Sequence, residues 1–366
     1  VLVVPNVPGA PQDLARTIPS SNETEVAILI DGKRFRFWSE VRVTRSIDAM
    51  DTVEFSAPFD SKIPNFKATF RPFSYKDVDI IVGGSRLFSG TMVGVTPTVS
   101  ASQKVVSVSA YSKPGVLNDC TLTGSSYPLE FNDQNLRDIA KSIADTFGIA
   151  VDFRVDPGPV FERVSLKPSK KVLPFLSELA QQRNMIISSS EDGALIFWRS
   201  IDPGTPVASL SQGASPLTQV TPFFSPQEYY SHITGIDPVL IGLEGSQFTV
   251  KNPRLNGVVR PITFSPQDTI DSDVQDAVQA KASRMFGNMA SYSASVSSWN
   301  DPSGNLWKPN TSIKLFANDA MVYGEYEFII RSVELIKDSR SESAVLNLVI
   351  PGSFSGKLPE VLPWEL

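Results

Sequence analysis

The residue types that could do chemistry in this chain are few and scattered. Its only histidine, His232, lies in an alternating run, Tyr229-Tyr230-Ser231-His232-Ile233-Thr234, with no G-x-S-x-G or H-x-x-x-H beside it. A strand residue fits it better than a catalytic base or a metal ligand. The single cysteine, Cys120, excludes an intramolecular disulfide and has no partners for a zinc site, so it reads as a small buried apolar residue. Acidic pairs occur at Asp271 with Asp273 and at Glu325 with Glu327. The first pair falls at a helix start, where carboxylates suit the dipole, and the second alternates along a strand, where both share a solvent face. Gly83-Gly84 is not followed by a helix with Lys-Ser or Lys-Thr, so it reads as a turn, not a phosphate loop. Arg34 and Arg36 alternate with Phe35 and Phe37, the pattern of one wet and one buried strand face. A net charge of −6 argues against a dedicated nucleic-acid binder. No cofactor is expected, and catalytic, cofactor and metal sites are all read as none.

The elements around these residues give the chain its organisation. Its 366 residues suggest two or three domains at about 150 residues each. No apolar run reaches the ~20 residues that span a bilayer, and the opening Val1-Leu2-Val3-Val4 meets Pro5 and Pro8 without a basic region, so a signal peptide is not expected. Residues 1–24 read as an extended N-terminal arm. From residue 25 to 118 short strand-like runs follow one another, beginning with "VAILI", an Asp31-Gly32 turn and "KRFRFW", a strong hairpin signal. Such runs without a long helix indicate an antiparallel barrel or closed sandwich.

Residues 119–200 change texture. Leu136, Ile139, Ala140, Ile143, Ala144 and Phe147 fall on one helical face, with Asn132 or Asp133 as the expected cap and Gly148 as the stop. A short strand follows at residues 149–153. A second helix is expected from Ser169, with Val172, Leu173, Leu176, Leu179 and Ala180 inward, Pro174 in its first turn and Asn184 at its end. "MIIS", Asp192-Gly193 and "LIFW" then read as a hairpin. The expected core of this unit is Leu136, Ile139, Ile143, Phe147, Leu176 and Leu179.

Residues 201–228 are rich in Pro, Gly, Ser and Gln and read as a connector that wraps a surface. Strand texture returns over 229–354, interrupted by a helix at about 271–290 capped by Asp271 or Ser272. Its stripe of Val274, Ala277, Val278, Lys281, Ala282 and Met285 is weakly apolar and suits a neighbouring surface more than a core. Trp307 and Pro309 read as core-edge residues before a strand, and Asn310 as a bond to local turn backbone. Residues 355–366 form a C-terminal tail.

On these segments the chain resembles a known family. "LRDIAKSIADTFGI" followed by "FLSELAQQRNMIISSSEDGALIFW" is similar to the middle domain of phage baseplate hubs, and "NLWKPNTSIKLF" with "YEFIIRSVELIKDSRSESAVLNLVIPGSF" to the last domain of the hubs of Mu-like contractile-tailed phages. More distantly it resembles the T-even hub and the N-terminal half of type VI secretion spike proteins. The resemblance implies a mainly β fold with an α/β insert: two tube-like antiparallel β-barrels and a central helix-strand-helix-hairpin domain. It implies a non-enzymatic virion protein of the tail baseplate, assembled in the host cytoplasm. It also implies a homotrimer whose six similar barrels adapt a six-fold tail tube to a three-fold central spike. The implied partners are the spike, the tail tube or a tube initiator, and wedge or tape-measure proteins. DNA would pass through the lumen without specific binding, and the chain would not bind membrane by itself. The competing readings are a cell-wall-degrading tail enzyme and a carbohydrate-binding β protein.

Overall fold

The computed structural model describes residues 25–127, 129–201, 204–236, 247–265, 271–354, 359 and 361–365, the side chains of 271–273 excepted. The expected N-terminal arm and the cap of the third helix lie outside the described residues.

The first β unit begins with β1 (Val26–Ile30) and β2 (Lys33–Phe35). Asp31 and Gly32 both take left-handed φ, 49° and 72°, as a two-residue hairpin turn that follows the strand twist requires. Then come β3 (Glu40–Ser46), β4 (Thr52–Pro58), a short helix α1 (Pro64–Thr69), β5 (Asp77–Val82), β6 (Ser85–Val99) and β7 (Lys104–Ser112). Alternation decides the faces: Val41 and Val43, Val53 and Phe55, and Val78 and Ile80 are all buried. Gly83-Gly84 forms the β5–β6 turn, both with positive φ. Gly90, by contrast, lies inside the long strand β6; a Cβ there would meet the Tyr111 carbonyl oxygen at 2.1 Å. Helix α1 has no sustained period in the sequence. It forms because Phe66 and Phe70 close an edge-to-face cluster with Phe35, Phe37 and Phe59, the Phe35–Phe70 centroids being 5.4 Å apart.

The central unit holds α2 (Val116–Asp119), β8 (Leu129–Gln134), α3 (Leu136–Asp145), β9 (Val151–Phe153), β10 (Phe161–Leu166), α4 (Val172–Gln182), β11 (Ile186–Ser189) and β12 (Leu195–Trp198). Its hairpin β11–β12 pairs as expected, and β9 adds in parallel to β12. Leu136, Ile139, Ile143, Leu176 and Leu179 are buried in one cluster, with Phe147 half-buried against it. Two caps differ from expectation. Asn135, not Asn132 or Asp133, caps α3, its Oδ1 accepting the Asp138 N–H at 3.0 Å, because residues up to Gln134 are held in β8. Helix α4 starts at Val172, with Lys171 as a cap lacking any side-chain bond, so Ser169 stays in the preceding turn. Gly148 and Asn184 do take the left-handed conformation after the two helices. Cys120 is half-buried, less enclosed than expected.

The second β unit contains β13 (Ser209–Ser211), β14 (Leu217–Phe224), β15 (His232–Ile236), β16 (Gln247–Lys251), β17 (Pro261–Phe264), α5 (Asp271–Met289), β18 (Ala290–Val296), β19 (Ser312–Ala317), β20 (Val322–Asp338) and β21 (Glu342–Val349). The segment read as a bare connector thus supplies β13 and β14; their short alternation was masked by Pro, Ser and Gly. Helix α5 is not a surface helix. Val278, Ala282, Met285 and Phe286 are buried in the main core, covered by β15 and β16. The tail also packs on its own chain: Leu362 is buried, Trp364 stacks edge-on against Phe224 at 5.3 Å, and the Tyr326 hydroxyl donates to the Val361 carbonyl at 2.8 Å.

The two β units do not stand as separate closed barrels. They form one 13-stranded sheet in the order β14-β18-β21-β20-β3-β4-β7-β6-β5-β1-β2, with β19 on β20 and β13 on β19. Among the described residues no ladder closes either half on itself. The reason lies in β20, whose 17 residues outrun β19: its first part pairs with β19 and its last part, from Ser332 on, pairs with β3. A single core therefore runs through both β units, and the central unit keeps its own.

Candidate functional site

The titratable residues singled out from the sequence are not gathered into one place. His232 is half-buried on β15, its Nδ1 3.0 Å from the Ser231 hydroxyl. Glu325 faces solvent, where the Lys314 Nζ at 2.9 Å and the Ser209 hydroxyl hold its carboxyl below the usual range. Glu327 accepts the Gly204 N–H at 3.1 Å. The side chains of Asp271 and Asp273 lie outside the described residues. Among the described residues no three His, Cys, Asp or Glu groups come together as a metal site.

The densest polar constellation is structural, and it fastens the central unit to the sheet. The β3–β4 loop, residues 47–51, reaches the β11–β12 hairpin: Trp198 Nε1 donates to the Ile47 carbonyl at 2.9 Å and the Asp51 N–H donates to Ser189 Oγ at 3.0 Å. Arg45, buried, bridges Asp51 at 3.2 Å and Glu191 at 2.6 Å. Burial pushes the Asp51 carboxyl up to about 7 against the pull of Arg45. Glu191, more open, loses less to burial and is drawn below its usual value by Arg45. Beside them Arg331 grips Asp48 with two nitrogens, at 3.2 and 2.8 Å, and lies over the Phe354 ring. Ile47, Ile186, Ile329, Val349 and Phe354 fill the space beneath.

Of the three family-motif residues, Trp307 is fully in the core, its Nε1 donating to the Ser298 carbonyl at 3.0 Å. Pro309 precedes β19 as expected. Asn310 is different: in a left-handed conformation (φ 63°), it binds not its own turn but the exit of the central unit, accepting the Ile201 N–H at 2.9 Å and donating to the Arg199 carbonyl at 3.4 Å. That long-range role has no local sequence signal.

The second feature is a repeat. Five strands of the first β unit lie in the order β3-β4-β7-β6-β5, and five of the second in the order β14-β18-β21-β20-β19; in each, two successive strands are followed by a three-strand meander. All these neighbours are antiparallel. Both meanders have a long middle strand, and both middle strands carry a bulge against the third, between Met92 and Gly94 and between Ile330 and Ser332. Beyond the bulge the ladders run residue for residue: Val95 faces Val108 as Val333 faces Leu346, and Val99 faces Lys104 as Lys337 faces Glu342. The side chains share no identity that would reveal the repeat, and only the pairing exposes it.

Comparison with known proteins agrees with this architecture. Residues 114–199 match the family described as "Baseplate hub protein gp44-like, second domain". This chain resembles the baseplate hubs of Mu-like phages. Over 332 residues it is 22% identical to the baseplate hub protein gp44 of Escherichia phage Mu, covering 85% of this chain and 82% of that one. The 43 kDa tail protein of prophage MuSo2 from Shewanella oneidensis superposes with a TM-score of 0.76 at 23% identity, covering 91% and 99% of the two chains. A tail protein from Neisseria meningitidis MC58 also reaches 0.76, at 17% identity over 90% and 98%. The fold is therefore that of phage tail proteins.

Proposed function

We propose that the chain is a structural baseplate hub of a contractile phage tail or tailocin. In this reading three copies form a ring of six equivalent β units, which adapts a six-fold tail tube on one side to a three-fold spike on the other. The observation that carries it is the repeat: one chain presents two β units of the same strand order, set side by side in one sheet. A three-fold assembly that must meet six-fold symmetry needs this doubling. Its partners are the spike and the tube or its initiator, with wedge or tape-measure proteins further out, and its place is the virion tail after assembly in the host cytoplasm. The role is non-catalytic, and the inner wall is neutral or negative, so that passing DNA is not retained through phosphate contacts.

The test is direct imaging of the purified chain, alone and mixed with its spike and tube proteins. Three-fold rings with a central opening are expected. Monomers alone under all of these conditions would sink the reading, and a clearing zone on a peptidoglycan zymogram would revive the enzymatic one.

A further inference from the structure

Away from the internal junction of the two β units, where β20 pairs with β3, the chain has a second meeting place: α4 of the central unit packs against α5 of the second β unit. Two clefts lie there, of about 490 and 170 Å³, and both are walled by Gln181, Arg284 and Asn288. Lys281 and Arg284 stand one helical turn apart on α5, so they share a face, and both line the larger cleft.

Arg284 is a cation without an anion. Among the described residues its half-buried guanidinium makes one hydrogen bond, to the neutral Met185 carbonyl at 3.1 Å, and enters no ion pair. Burial pulls its pKa down to about 10, and the nearby Asp48 offsets this only in part. Asp48 is already engaged by two nitrogens of Arg331. Glu178, the carboxylate that α4 contributes to the larger cleft, is bonded to Lys170, and Glu228 is exposed. Lys281 is unmatched as well: its Nζ lies 5.0 Å from the centre of the Phe264 ring and, among the described residues, meets no carboxylate. A guanidinium held out of water with most of its N–H donors unused is costly unless an acceptor of opposite charge is supplied.

The rest of the larger cleft shows what should carry that charge. Ile233, Ala277 and Met285, all buried, and Phe264 give it an apolar lining, which a bare inorganic ion does not need. Its volume falls among those of small-molecule sites, roughly 300–1,000 Å³. The planar fork of an arginine matches the two oxygens of a carboxylate with parallel bonds.

We infer that the cleft between α4 and α5 binds a carboxylate with a short aliphatic body, its oxygens on Arg284, its chain against Ile233, Phe264 and Met285, and Lys281 as the second cation. A free organic acid and the C-terminal residue of a peptide offer the same chemistry. Arg284 stands on α5 and donates to Met185 of the central unit, so an occupant held by it stabilises the joint between the two units. The site is independent of the proposed self-association, which can fail without affecting it.

The test is thermal unfolding of the full chain with hexanoate, with N-acetyl-glycyl-leucine, and with hexanamide as the uncharged control, all at one ionic strength. At about ten times its half-saturating concentration an acid that binds should raise the melting temperature by about 3 °C, and hexanamide should not. Tighter binding of hexanoate identifies a free acid as the source, and tighter binding of the dipeptide a chain terminus. In Arg284→Met, which keeps the apolar stem, the response should vanish while the melting temperature in plain buffer stays within about 1 °C of wild type. Lys281→Met should raise the half-saturating concentration about tenfold, and it carries the test should Arg284→Met fail to fold. No response to either acid in wild type, an equal response to hexanamide, or an undiminished response in the variants would overturn the site.

Discussion

The two β units are alike in backbone and unlike in everything hung on it. The connection from β3 to β4 is a loop of residues 47–51, whereas the equivalent connection from β14 to β18 contains β15, β16, β17 and α5. Both connections reach the central unit: the short one through Trp198 and Arg45, the long one through Arg284, which donates to the Met185 carbonyl at 3.1 Å. Their fillings differ too. The first unit closes on a phenylalanine cluster with α1, and the second buries Trp299 and Trp307 before β19. What survives in common is strand order, a bulge and a hairpin length. A sheet of this kind constrains hydrogen-bond register and inward apolarity and leaves identity free.

The sharpest way to break the comparison is to place the same charge at equivalent sites. Leu335→Asp buries an unpaired carboxylate in the internal junction and should cost about 4 kcal/mol or more, seen as loss of the cooperative thermal transition. Its equivalent Pro97→Asp, on an exposed edge, should leave that transition in place; equal damage at both sites would show that the edges are not equivalent.

Gly90 sharpens the contrast in the other direction. Its counterpart in β20 is the buried Phe328, but in β6 the chain passes too close to Tyr111 for a Cβ. Gly90→Ala should cost about 3 kcal/mol by overpacking against backbone, read as a lower urea midpoint.

A smaller effect separates the two carboxylates on Arg45. The folded pKa of Asp51, about 7, lies above its unfolded value near 3.8. Its contribution is therefore fully present below pH 3.8 and lost as pH rises through 7. Wild type should lose stability relative to Asp51→Asn across pH 4 to 7, as measured by urea midpoints. Glu191 works oppositely, its contribution being lost as pH falls below the carboxylate range. Parallel pH profiles for wild type and Asp51→Asn would refute the assignment. The smallest change is Asn310→Ala, which should cost about 1 kcal/mol through its two bonds to residues 199 and 201 and leave the β units intact. Proteolysis at the 199–201 exit should speed up in that variant.

Much of this was legible where physics is local. The Asp31-Gly32 hairpin, the α3 face from Leu136 to Phe147 and the β11–β12 hairpin follow from period and turn chemistry, and each is where the sequence put it. The parts that were not legible depend on distant partners. α5 looks weakly apolar because Ala277 and Ala282 are small, but small residues are what close packing beneath β15 and β16 requires. β14 reads as linker because prolines and polar residues suit an edge strand. Asn310 gives no hint of Arg199, more than a hundred positions away. The sharing of one sheet by both β units was hidden for the same reason: nothing in "SVELIKD" says that it will outrun β19 and meet β3.

The internal β20–β3 junction also changes the arithmetic of assembly. Two units tethered in one polypeptide meet at a local concentration set by the chain, not by the cell, so that contact forms with folding and does not depend on how much protein has been made. A six-membered ring built from single units would require five encounters in solution, whereas one built from doubled chains would require two. In the proposed ring the concentration threshold for closure would fall accordingly.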